Sequence, residues 1–141
     1  MNPRDTTTGK VLEEMALSAL TKGGYAYQEQ VVIGQRPSGS KHKVDLLVTA
    51  PDGQQIPVSM KWQQSSGTAE QKVPFEIICL AEVVQKSQGK FKKAYIVLGG
   101  EGWSLREYYL SGAIMRYLKN CEPVEITSLE GFVAKANQGK L

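Results

Sequence analysis

The sequence predicts a mixed α/β (α+β) fold, a single domain with a central mixed sheet flanked by helices. Three observations carry that reading. The chain has 141 residues and is 41% hydrophobic, which suits one core. Its apolar positions switch between helical and strand periods in the order αβββαβ followed by αβα. No internal repeat, low-complexity tract or long linker divides it.

The elements follow in turn. Leu12, Met15, Ala16, Ala19 and Leu20 recur at helical spacing, so a helix is expected over Gly9 to Lys22, ended by Gly23-Gly24. Thr6, Thr7 and Thr8 offer capping hydroxyls ahead of it. Tyr25 to Ile33 is rich in aromatic and β-branched residues and reads as a strand, and Gly34 to Ser40 as a loop full of breakers. Lys43–Ala50 and Gln54–Trp62 read as a hairpin around Pro51-Asp52-Gly53, a type I turn with Gly in the left-handed position. Gln63 to Lys72 reads as a polar loop. Pro74 then opens a helix over Phe75–Lys86, with Ile77, Ile78, Leu80, Ala81 and Val84 on its buried side. Lys93–Leu98 is a continuous apolar strand, suited to the middle of a sheet. Past Gly99-Gly100-Glu101-Gly102 a helix runs from Ser104 toward Leu118, interrupted at Gly112. Val124-Glu125-Ile126 is a short strand, and Ser128 caps a final helix through Ala136.

The hairpin fixes a register. Pairing Ala50 with Gln54 puts Asp45 opposite Ser59, and strand alternation then places Asp45, Ser59 and Lys61 on one face. A carboxylate within the apolar run VDLLV needs a partner. The acid and the ammonium thus converge beside a polar loop.

Glu13 or Glu14 in a first helix, Asp45 on a strand and Lys61 on its hairpin partner resemble the PD-(D/E)XK nuclease superfamily, whose common core has the same αβββαβ order. The resemblance covers about the first two thirds of the chain. It implies a restriction-endonuclease-like fold and hydrolysis of phosphodiester bonds. Asp45, Glu76 and Glu13 would be catalytic metal ligands, with Lys61 beside the attacking water. Mg2+ is the implied cofactor, with Mn2+ able to substitute. The chain departs from the family at Ser59, where an acid is usual; a hydroxyl is a poor ligand for a hard cation. The resemblance to restriction enzymes whose second acid has moved to the following helix points to Glu76, with Glu70, Glu13 and Glu14 as fallbacks. On that reading Glu76→Gln costs activity and little stability. Arg36, Lys41, Lys43, Gln63, Gln64 and Lys72 are candidate DNA contacts, and Gln71 a further one.

Composition narrows the classes. The single His rules out a His-rich metal site and argues against a Ser-His-Asp triad, and Cys79 and Cys121 have no CxxC spacing. Trp103, Tyr108 and Tyr109 read as core or interface residues. A formal net charge of +3 permits nucleic-acid binding without demanding it. The N-terminus has no apolar signal core, so a cytoplasmic protein with no membrane contact is expected. The reading is a site-specific endonuclease for double-stranded DNA, of homing or restriction type, working as a homodimer or homotetramer because a duplex needs two cuts. Alternatives are a Holliday-junction resolvase, a DNA-repair nuclease or an RNA-processing nuclease. A rival of another class is an inactive nucleic-acid-binding or assembly protein that keeps the fold.

Overall fold

The computed structural model describes residues 3–141, with side chains from Gly9 onward. Its elements are α1 (Pro3–Lys22), β1 (Ala26–Gln35), β2 (Lys41–Thr49), β3 (Gln55–Trp62), α2 (Ala69–Lys86), β4 (Ala94–Gly99), α3 (Arg106–Leu110), a 3-10 helix (Ala113–Tyr117), β5 (Val124–Ser128) and α4 (Leu129–Asn137). They form one five-stranded mixed sheet in the order β1-β2-β3-β4-β5. The first three strands pair antiparallel, and β3, β4 and β5 run parallel. β4 is buried along its whole length, as its unbroken apolar run requires.

Each face of the sheet carries its own core. α1 and α4 cover one through Ala16, Leu20, Leu46, Val58, Tyr95 and Phe132. α2 covers the other through Val44, Leu47, Ile77, Leu80, Ile96 and Trp103. Cys79 and Cys121 are buried free thiols, and burial pushes both thiol pKa values up, which keeps them unreactive. Among the described residues no helix is long and apolar enough to cross a membrane.

The hairpin register is the expected one. Ala50 N donates to Gln54 O at 2.8 Å, Gly53 has φ +91°, and the ladder continues through Thr49↔Gln55 to Leu46↔Val58. Gly112, at φ +80°, breaks the segment after Ser104 into α3 and the 3-10 helix. Ser128 caps α4, its hydroxyl accepting from Gly131 N at 3.0 Å.

Two helix starts differ from expectation. α1 begins at Pro3, and the capping hydroxyls of Thr6, Thr7 and Thr8 fall outside the described side chains. α2 begins at Ala69 and takes in Pro74. Proline has no N–H for the carbonyl four residues back, Glu70. Tyr109 Oη donates to that Glu70 carbonyl at 2.6 Å, so a contact 39 residues away permits the longer helix. Glu70 itself is buried and accepts from Ser104 Oγ at 2.8 Å and Leu105 N at 2.6 Å. Those bonds hold its carboxyl below the ordinary glutamate value and make it an anchor for the Trp103–Leu105 loop rather than a spare metal ligand.

Candidate active site

The site lies where β2 and β3 part. Beyond Leu46↔Val58 the backbone ladder stops, and the Asp45 side chain takes over. Its Oδ2 accepts from Met60 N at 2.6 Å, a charge-assisted bond. The carboxylate therefore sits in the seam, one residue short of Lys61 along β3. Lys61 and Ser59 are held from the other side by β4, in the pairs Lys61↔Leu98 and Ser59↔Ile96.

The strict alternation that puts Asp45, Ser59 and Lys61 on one face fails at Asp45. Leu46 and Val48 pack on the α1 side, whereas Val44 packs on the α2 side, although residues two apart on a regular strand share a face. β1 breaks at the same level. Tyr27 packs on the α1 side and Val31 and Ile33 on the α2 side, and the residue between, Gln30, has φ +55°. Gln30 Nε2 lies 3.5 Å from Asp45 Oδ1.

Glu13 on α1 belongs to this neighbourhood. Burial raises its carboxyl pKa, and the negative charges of Glu29, Asp45 and Glu14 raise it further. Glu14 is exposed. Among the described residues, no Lys, Arg or His forms an ion pair with Glu13, Glu29 or Asp45. Glu29 and Gln30 were not among the sequence candidates. The available signal was the polar run Gln28-Glu29-Gln30 inside an otherwise apolar strand.

Glu76 is placed differently from its expected role. Its Oε1 pairs with Arg36 at 3.3 Å and its Oε2 with His42 Nε2 at 3.1 Å, all beneath α2. Burial alone would raise the Glu76 carboxyl. The hydrogen bond from His42 and the charges of His42, Lys61 and Arg36 outweigh it and hold the group below its ordinary value. His42 is fully buried and does not join a basic surface cluster with Lys41 and Lys43, and its Nδ1 has no partner. Among the described residues no three of His, Cys, Asp and Glu form a ready-made metal cluster, so Asp45, Glu13 and Glu76 are not gathered into one.

The expected nucleic-acid contacts divide. Lys41, Lys43, Gln64, Gln71 and Lys72 are exposed and free to meet a ligand. Arg36 is engaged with Glu76. Gln63 is a correction: it is buried, donating to Gly102 O at 2.7 Å and accepting from Ala69 N at 3.0 Å. The side chain ties the start of α2 to the loop after β4, and neither end reaches solvent to read a base.

The family comparison agrees with this architecture. The model of the PD-(D/E)XK nuclease superfamily domain matches residues 4–140. No curated protein matches the chain. A solved structure entitled "Crystal Structure of Protein of Unknown Function AF1548" is similar at a TM-score of 0.49 and 11% identity, over 83% of this chain. The chain spans only 57% of that protein's own length. With the family model matching nearly its whole length, the chain belongs to the PD-(D/E)XK nuclease superfamily.

Proposed function

We propose that the protein is a Mg2+-dependent endonuclease for double-stranded DNA, site-specific, of homing or restriction type, and active as a homo-oligomer. The observation that carries this reading is Asp45 turned into the β2–β3 seam next to Lys61, with Glu13 close by and negative charge unpaired around it. Such a surplus of hard oxygen donors suits a divalent cation. Asp45 and Glu13 would hold it.

When bound, the cation supplies Lewis acidity and lowers the pKa of a water. The chain's own groups do the rest. The Met60 N–H fixes Oδ2 of Asp45 and leaves Oδ1 to face the site. Lys61 offers an ammonium to a phosphate oxygen or to the attacking water. The Lys61 ammonium lies near enough to Glu76 for its charge to help hold that carboxyl below its ordinary value. Lys41, Lys43, Gln64 and Lys72 are available for phosphates and base edges, with Gln71 beside them. Exposed Leu105, Tyr108 and Tyr117, all after β4, supply apolar surface for a second copy.

Incubation of supercoiled plasmid with Mg2+, Mn2+ or EDTA tests the reading, with an RNA substrate as the comparison. Metal-dependent nicking or linearisation of DNA is expected. One observation favours a second reading. Ser59 stands where the family usually has an acid, and Glu76 is occupied by Arg36 and His42. DNA retention without cleavage under every metal would establish that the fold serves binding alone.

A further inference from the structure

We propose that Gln30 is a positioning residue for Asp45, turning the β1–β2 ribbon at their shared level and holding the outer carboxylate oxygen. The inference rests on the nuclease reading above. Its basis is a coincidence of three departures from regular structure. The β1–β2 ladder passes from Glu29↔Leu46 to Val31↔Val44 without the Gln30–Asp45 pair. On both strands, the face presented to each core reverses across that pair. Gln30, at φ +55°, is the non-glycine residue inside a strand with a left-handed backbone; Gln88 and Asn120, which share it, lie in a turn and a bend.

A left-handed glutamine is unfavourable, because Cβ crowds the following carbonyl oxygen. Such strain persists where the surroundings over-determine it, and it clusters at functional sites. Here the consequence is visible in Asp45. Regular alternation would carry the carboxylate onto a face of the sheet. The turn at Gln30 instead leaves it in the seam, with Oδ2 on Met60 N and Oδ1 toward Gln30 Nε2. The amide leaves Oδ1 capacity to accept more than one partner and orients it for a cation. Gln30 is exposed, so packing does not explain its side chain.

Gln30→Gly separates the amide from the backbone, since glycine accepts φ +55° without steric cost. The readouts are Mn2+ binding to metal-free protein by calorimetry and the thermal midpoint in EDTA. Outer-shell partners commonly govern metal affinity by 10–100-fold, so Mn2+ affinity should fall about 10-fold. The midpoint should hold or rise by roughly 3 °C as the strain is relieved. Gln30→Asn, which tolerates the left-handed backbone and keeps a shorter amide, should fall between. Unchanged Mn2+ affinity in Gln30→Gly would overturn the proposal, and so would a midpoint several degrees lower, which would make Gln30 structural. Wild-type protein that neither binds Mn2+ nor cleaves would remove the nuclease reading and this inference with it. Binding equal in wild type and variant would remove the inference alone.

Discussion

Replacing Glu76 by Gln tests whether this acid is a metal ligand or the keystone of a buried ion network. The carboxylate accepts from Arg36 and from His42 with both oxygens, and only about a twentieth of its side chain is exposed. A Gln amide offers one oxygen and one NH2. Its NH2 must therefore face either the Arg36 guanidinium or the His42 Nε2, so two donors meet. Moving the imidazole proton from Nε2 to Nδ1 relieves that clash, but Nδ1 has no partner in its fully buried site. Either way a buried donor is orphaned and Arg36 loses its countercharge. Breaking one side of a buried pair costs about 3–5 kcal/mol, and the isosteric amide should place the loss near the lower end, about 3 kcal/mol. That is a large part of a typical domain stability of roughly 5–15 kcal/mol.

Urea unfolding followed by the fluorescence of Trp62 and Trp103 measures it. With a slope of roughly 1.5 kcal/mol per molar urea, the midpoint should fall by about 2 M with the slope unchanged. The pH dependence has a definite sign. The folded carboxyl lies below the ordinary value of 4.5, so its contribution is complete above that value and is lost as pH falls through the lower folded one. The gap between wild type and variant should therefore close on acidification. A loss under about 0.5 kcal/mol at pH 7, or a gap that does not narrow with acid, would refute the network. A variant as stable as wild type yet inactive in cleavage would make Glu76 a ligand.

Other outcomes follow from the same geometry. Asp45→Asn should reduce plasmid cleavage to background with the fold retained, because the Asn oxygen can still accept from Met60 N; DNA retention in a gel shift should hold or improve as repulsion is removed. Lys61→Ala should slow cleavage by roughly 10²–10³-fold at unchanged thermal midpoint, and near wild-type rates in either variant would unseat the assignment. Gly100→Ala should destabilise by at least about 1–3 kcal/mol in urea unfolding, from its left-handed backbone alone. Gly100 has φ +94° and an added Cβ would collide with the Gln63 carbonyl oxygen. Light scattering should find at least a dimer on DNA, and a monomer both free and bound would exclude the assembly.

Whatever short-range chemistry controls was legible in the order of the residues. Pro51-Asp52-Gly53 admits one tight turn, and that turn sets the β2–β3 register down to Leu46↔Val58. Apolar periodicity places the bodies of α1, α2 and β4, Gly112 and Ser128 mark a break and a cap, and the order of those elements leads to the family. Where the acids point is set by long-range packing. Glu76 meets Arg36 and His42 across 40 and 34 residues of chain, and Glu70 holds Leu105 across 35. No local pattern encodes such pairs, because a helix or strand sets the direction of a Cα–Cβ bond and leaves its partner to packing. The turn at Gln30 is of the same kind. Nothing in a glutamine announces a left-handed backbone, since the cost is met by two cores that pull the ribbon to opposite faces.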